Sequence, residues 1–274
     1  YPEGGGQIGD EGDILFLDKK NNTLCAHIYN TIKENNLIIH IADTWLDKNG
    51  FSQHYTLRVN TKKRLLTRRN HSATHLLHRG LIDILGEHVE QKGSYVGPDY
   101  LRFDFSHFKK IDNKQLLELE RKINQQIILG GELEEFRHLP IKEAKKMDAI
   151  ALFGEKYGEY VRVVKFTLES GKSNSIELCG GTHVTNIFEI GFLKIISESS
   201  IASGIRRIEA VTSEGACKFL NHKINTLHNI EDLFKNSDHL INSVQKLIDE
   251  NHRLNILANN LHKDTVQNLI KSLD

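Results

Sequence analysis

Cysteine is scarce in this chain of 274 residues: there are three, Cys25, Cys179 and Cys217. So small and odd a number, with no apolar signal segment ahead of it, does not make a disulfide framework and fits a reducing cytosolic compartment. No uninterrupted apolar run approaches the ~18 residues that a membrane span needs. Charge of one sign is not in excess either, with 36 Lys+Arg against 36 Asp+Glu. Bulk charge therefore does not announce a nucleic-acid binder, and any such surface must be a local patch. Methionine occurs once, at Met147, and the chain opens at Tyr1 inside a motif-like stretch. That start is expected of a piece of a longer protein, or of processing.

The length is a soft prior for about two domains, and 39% hydrophobic with 26% charged residues is ordinary for a globular chain with a sizeable core. Histidine, by contrast, is abundant at 15. Random placement then yields an HxxxH pair on the order of once and a CxxxH pair only about 0.2 times, so the cysteine is the informative end of such a motif. One CxxxH is present: CGGTHV at 179–184. A thiol beside an imidazole on a glycine-rich loop points to metal binding or catalysis.

Between residues 13 and 60 the runs DILFLD, TLCAHIYNT, NLIIHIA and HYTLRVN read as short strands. Turn formers divide them, among them KNN at 20–22 and DKNG at 47–50, and a small barrel or sandwich is expected over 1–62. From Arg64 to Leu85 the period becomes helical (Leu65, Leu66, Ala73, Leu76, Leu77, Leu81, Ile82, Leu85), with Asn70 as the N-cap of a helix beginning at His71. QKGSYV and YLRFDF alternate like paired strands, 113–129 reads as an amphipathic helix, and strands at 132–139, 160–168 and 175–178 frame a short helix near 142–150. GFLKIISES and GIRRIEAVT close this region, so an α+β or mixed α/β sandwich is expected over 63–212. Beyond it, over 213–274, the chain reads as continuous helix. Leu240, Val244, Leu247, Asn251, Leu254, Ala258 and Leu261 form a heptad seam, either packed back on itself as a hairpin or laid against a second copy.

His71 and His75 stand at i and i+4 and project from one helix face. Joined with Cys179 and His183 they make a Cys/His set of four, and zinc is the first-row ion that best suits mixed N and S ligands. Gly180 and Gly181 would let the backbone curl around an ion. Four protein ligands would close the tetrahedron, three plus water would leave a reactive position, and His183 is the ligand in question.

YPEGGGQIGDEG at 1–12, HSATHLLH at 71–78, QKGSYV at 91–96, LRFDFSH at 101–107, CGGTHV at 179–184 and GIRRIEAVT at 204–212, six motifs in order, resemble the editing domain of alanyl-tRNA synthetases. The trailing helices resemble the start of that family's C-terminal oligomerisation region. A related domain in threonyl-tRNA synthetase shares the HxxxH and Cys/His idea, and freestanding alanyl-tRNA editing proteins share the motifs themselves. The resemblance implies hydrolysis of the ester bond in mischarged Ser-tRNA(Ala) and Gly-tRNA(Ala). A small pocket for alanine cannot strongly reject either, so a second, hydrolytic site is needed. It also implies a single zinc ion on His71, His75, Cys179 and His183, serving to polarise the ester, anchor the amino acid or activate water.

By the same resemblance Thr74 would face the serine hydroxyl, against the alternative of bonding back to its own helix. Gln91 would orient substrate or water, against that of a polar residue opening a strand. Gly4, Gly5 and Gly6 with Gln7 would admit the tRNA end, and Arg102 would contact the terminal adenosine or pair with Asp104. Lys62, Lys63, Arg64, Arg68, Arg69, Arg206 and Arg207 are candidate phosphate contacts on the tRNA acceptor, or a solvated face. No candidate ATP-binding, amino-acid-activating domain is apparent, so this polypeptide is not expected to aminoacylate tRNA by itself. A purely structural zinc in a tRNA-binding or dimerising module is the competing class.

Overall fold

In chain order the elements are strands β1 (Gly12–Leu17), β2 (Thr23–Glu34), β3 (Leu37–Ala42) and β4 (Tyr55–Val59), helix α1 (Thr61–Leu85), strands β5 (Gln91–Val96) and β6 (Leu101–Ser106) and helix α2 (Asn113–Leu129). Then come β7 (Gly131–Pro140), α3 (Ile141–Lys146), β8 (Tyr160–Leu168), β9 (Ser173–Leu178), a 3-10 turn (Ile187–Ile190), β10 (Leu193–Ala202), β11 (Ile205–Thr212), α4 (Ser213–Leu233) and α5 (Leu240–Lys271). This computed structural model describes residues 1–17, 23–35, 37–43, 55–151, 157–168, 173–234 and 239–271. The turn formers expected at 20–22 and 47–50 lie outside the described residues. Two compact units are present, Tyr1–Cys217 and Lys218–Asp274. Among the described residues no helix is long and apolar enough to cross a membrane.

The mixed α/β class expected from the sequence is present, and the strand ladders are all antiparallel. One sheet has the order β3-β2-β1-β4, a second β10-β11-β6-β5 and a third β7-β8-β9. The expected N-terminal barrel is corrected to an open sheet: β3 and β4 are its two edges and do not pair with each other among the described residues. Four strands are too few to curl round and close edge to edge, where even small barrels use five or more.

The expected helix start is also corrected. The cap is Asn60, ten residues before Asn70, and its side chain accepts from the Lys63 N–H at 3.1 Å. The basic run that follows, rich in Lys, Arg and Leu, has no reason to stay out of a helix. Asn70 therefore sits inside α1 at 1% exposure. Its Nδ2 donates to the Gly97 carbonyl at 2.8 Å, and its Oδ1 accepts from the Thr212 hydroxyl at 2.7 Å. α2 starts where a capping box sets it, with Asp112 and Gln115 satisfying each other's backbone N–H.

The middle of α1 is buried all round, from Asn70 through His78. Such a helix is enclosed by its neighbours rather than laid on a surface. Leu76, Leu77 and Leu81 of α1 join Leu119 and Ile123 of α2, Phe103 and Phe105 of β6, Phe166 of β8 and Ile187 of the 3-10 turn in one apolar core. That core fixes the helix carrying HSATH against the third sheet. In the second unit, Leu247, Leu254 and Leu261 of the expected seam are 59%, 51% and 57% exposed.

Asn70 ties α1 to the loop after β5 and to the end of β11, so Asn70→Ala leaves two buried groups without partners. Urea unfolding is expected to show a loss of about 1 to 3 kcal/mol with an unchanged denaturant slope. A variant as stable as the parent removes that role.

Candidate metal centre and its cavity

His71 and His75 lie one turn apart on α1, with ring centroids separated by 5.3 Å. Cys179 and His183 arrive from the loop after β9. One ligand atom from each of the four lies within 4.8 Å of every other. The Cys179 Sγ is 3.4 Å from His71 Nε2 and 3.2 Å from His183 Nε2. Tetrahedral donors at bond lengths of about 2.0 to 2.3 Å stand roughly 3.3 to 3.8 Å apart, close to these two separations, so the four residues could hold one ion. The imidazoles are buried, at 4%, 3% and 4% exposure for His71, His75 and His183. Burial pushes all three below the ordinary histidine range, and for His71 and His183 well below it, with neighbouring imidazoles adding to the effect. Neutral imidazole is the form that binds a metal.

Two of the imidazoles have a polar partner within hydrogen-bond distance behind them, and the third faces a carboxylate. His71 Nδ1 stands 2.7 Å from Gln7 Oε1, an oxygen that also accepts from the Thr182 N–H at 2.9 Å. Gln7 Nε2 in turn donates to Thr182 Oγ1 at 3.0 Å. His183 Nδ1 lies 3.2 Å from Ser72 Oγ. Both rings thereby present Nε2 to the sulfur. His75 Nδ1 faces Glu177 Oε2 at 3.7 Å, while Glu177 Oε1 faces His78 Nδ1 at 3.6 Å and accepts from Ser175 Oγ at 2.7 Å. Burial opposes charge on Glu177, yet His75, His78 and the Ser175 hydroxyl together hold its carboxyl down at about 2. A carboxylate behind a metal-facing imidazole is a recurrent way of fixing ring orientation.

The loop itself is gripped by Arg162 of β8, whose Nη1 donates to the carbonyls of Cys179 at 2.7 Å and Gly181 at 2.8 Å. A Cβ on Gly181 would overlap the His71 ring, whereas one on Gly180 would meet open space. Gly181 is thus the position where only glycine fits. The N-terminal loop is fastened by reciprocal backbone bonds, Val96 N–H to Gly6 O at 2.8 Å and Ile8 N–H to Val96 O at 3.1 Å. Gly6 (φ +83°) leaves no room for a Cβ beside Ser94.

A cavity of about 440 Å³ opens on this cluster, lined among others by His71, His75, Cys179, Thr74, Gln91, Gly4 and Gly5. Thr74 Oγ1 donates to Asn70 O at 2.9 Å, and Gln91 Nε2 donates to Ser94 Oγ at 3.1 Å. Gln7 does not line the cavity and is 1% exposed. Arg102 is not among the lining residues; its Nε lies 3.7 Å from an Asp104 carboxylate that Arg207 holds with two bonds, at 2.6 and 2.8 Å.

The remaining basic residues also have internal acceptors. Lys63 reaches Glu11, Arg64 reaches Asp10, Arg68 the His183 carbonyl, Arg69 the Glu189 carbonyl and Arg206 Glu198. Ser72, Arg162 and Glu177 were not singled out in the sequence. Ser175 and Glu177 do alternate along β9, four and two residues ahead of Cys179 in the loop that follows, a polar face that would have pointed to Glu177. Ser72 and Arg162 carry no such signal.

A family model described as "Threonyl and Alanyl tRNA synthetase second additional domain" matches residues 161–209. The chain is 45% identical over 277 aligned residues to an alanine–tRNA ligase of Flavobacterium psychrophilum, covering 100% of this chain and 30% of that protein. To that of Cytophaga hutchinsonii it is 49% identical over 250 residues, 91% of the chain and 27% of the relative. To that of Christiangramia forsetii it is 44% identical over 273 residues, 100% of the chain and 30% of the relative. The chain thus spans under a third of the length of these curated relatives.

If Gln7 and Glu177 orient the ligands, Gln7→Ala and Glu177→Gln each weaken metal affinity roughly 10- to 100-fold, measured by competition with a chelator while circular dichroism reports an intact fold. Parental affinity in a folded variant takes that role away from the residue concerned.

Proposed function

We propose that this chain, whose sequence belongs to the alanyl-tRNA synthetase family over the portion it covers, is a hydrolytic editing unit that cleaves the ester bond of mischarged Ser-tRNA(Ala) and Gly-tRNA(Ala). The observation that carries this reading is a buried three-imidazole, one-thiol cluster opening on a cavity that Thr74 and Gln91 also line. His71, His75, Cys179 and His183 would hold a zinc ion, which would supply Lewis acidity toward the ester or toward water.

The chain's own residues sort serine from alanine. The Thr74 hydroxyl proton is committed to the Asn70 carbonyl, which leaves the oxygen lone pairs for an incoming donor. A seryl hydroxyl is such a donor. The alanyl methyl is not, and it leaves that oxygen without a partner, the kind of mismatch by which a hydrogen-bonding site rejects an analogue. Gln91, tethered through its amide nitrogen to Ser94, orients the ester or the attacking water. Gly4 and Gly5 give the RNA end close access to backbone at the cavity wall. Lys62, with a side chain 75% exposed although it lies 3.8 Å from Glu214, and Lys63, 45% exposed although it reaches Glu11, supply the phosphate-facing charge of the same proposal. Arg102 and the other basic residues act first as internal ties. The exposed seam of α5 is the surface for helix pairing, with a second copy or within a hairpin.

The test is release of serine from Ser-tRNA(Ala) beside release of alanine from Ala-tRNA(Ala), by the folded, metal-loaded chain. Selective serine release is expected. Cys179→Ala abolishes it, and Thr74→Val lowers the serine-over-alanine preference roughly 10-fold. No release above the uncatalysed rate, or full release by Cys179→Ala, sinks the proposal.

A further inference from the structure

We infer that Tyr160, backed by His138, is a stacking platform for the terminal nucleobase of the RNA whose 3′ end enters the metal cavity. This rests on the editing reading for its ligand, but its evidence is separate. Tyr160 lines the cavity yet remains 52% exposed. Its ring lies flat on the His138 imidazole, with centroids 4.0 Å apart and planes 7° from parallel. One face of the phenol is therefore covered and fixed in orientation, at a site where a large aromatic is otherwise left to solvent.

The backbone has been adjusted to make this pair. From Gly131↔Leu168 to Phe136↔Val163, β7 and β8 keep a single register; beyond a bulge they resume at Leu139↔Val161 and Pro140↔Tyr160. Had the first register continued, His138 would oppose Val161, whose side chain points to the other face of β8 from that of Tyr160. The extra residue sets His138 opposite Arg162, on the Tyr160 face and diagonal to it. Bulges of this kind re-aim side chains beside functional sites.

The same alternation relates the platform to the metal loop. Tyr160 and Arg162 share a face two residues apart, about 7 Å along the strand. Arg162 grips the carbonyls of Cys179 and Gly181. The ring is thus held at a fixed offset from the proposed ester-cleaving centre, on a strand rather than a loop. Bases stack on aromatic rings with little dependence on sequence, because every base offers a π-face. A pre-fixed phenol lets that contact form without ordering a new side chain. The ligand chemistry is accordingly a planar nucleobase joined through its ribose to the ester under attack.

The test uses the whole metal-loaded chain and an RNA minihelix with a 3′-terminal adenosine, against the same RNA with an abasic 3′ residue, read by fluorescence anisotropy. The parent is expected to bind the abasic RNA roughly 5- to 150-fold more weakly. Tyr160→Ala is expected to bind both RNAs at the weaker level, Tyr160→Phe to keep the difference, and His138→Ala to lose part of it. A base-dependent difference that survives in folded Tyr160→Ala overturns the inference, and so does its absence in the parent; either makes the ring pair only a sheet contact. Binding is measured without turnover, so failure of the deacylase reading would register separately, as absent serine release.

Discussion

Three buried imidazoles and a partly buried thiol crowd together at the floor of one cavity, and contacts from several elements of the first unit converge on them. Burying polar groups is costly unless they meet one another or a ligand, and here the Cys179 Sγ stands 3.4 Å from His71 Nε2 and 3.2 Å from His183 Nε2. Protonation is no remedy, because burial and mutual repulsion disfavour the imidazolium forms. The inward-facing nitrogens and sulfur, all within 4.8 Å of one another, could hold a single cation. The same cation needs every ring to be held in one tautomer and one direction.

That demand explains contacts that otherwise look unrelated. The glycine-rich N-terminal loop is fastened to β5 so that Gln7 can reach His71 and Thr182. Ser72, next to a ligand on α1, turns inward to His183. β9 places Ser175 and Glu177 behind His75, and β8 contributes Arg162 to hold the Cys179–Gly181 backbone. α1 is buried on every side at this level, because its ligand face meets the third sheet while its leucines meet α2 and β6. In the cavity beyond, Thr74 and Gln91 each make a hydrogen bond of their own.

Local chemistry was legible in the sequence where one segment decides it. The i, i+4 pair of HSATH, the CxxxH loop, the helix at 113–129 and the strand runs all follow from periodicity or from the rarity of cysteine. Less legible were features that depend on what comes from elsewhere. Asn70 reads as a cap because asparagine favours caps, but a tertiary pair of partners makes an interior, buried Asn acceptable. The count of N-terminal strands was readable and their closure was not, since edge pairing depends on curvature. Gln7 reads with its glycines as an opening for the tRNA end, and nothing local reveals a partner 64 residues on. The basic residues read as a surface because charge runs usually are one. Acceptors such as Asp10, Asp104, Glu198 and the His183 carbonyl are distant in sequence and become visible only when folded.

The claim on which the account turns is that His71, His75, Cys179 and His183 together bind one ion. Substituting Co²⁺ and recording the absorption spectrum of the full chain, alongside metal content per chain, tests it most directly. One ion per chain is expected, with the visible bands of a tetrahedral site and a thiolate charge-transfer band that disappears in Cys179→Ala. Absence of stoichiometric binding, or a charge-transfer band that persists without the Cys179 sulfur, would contradict it.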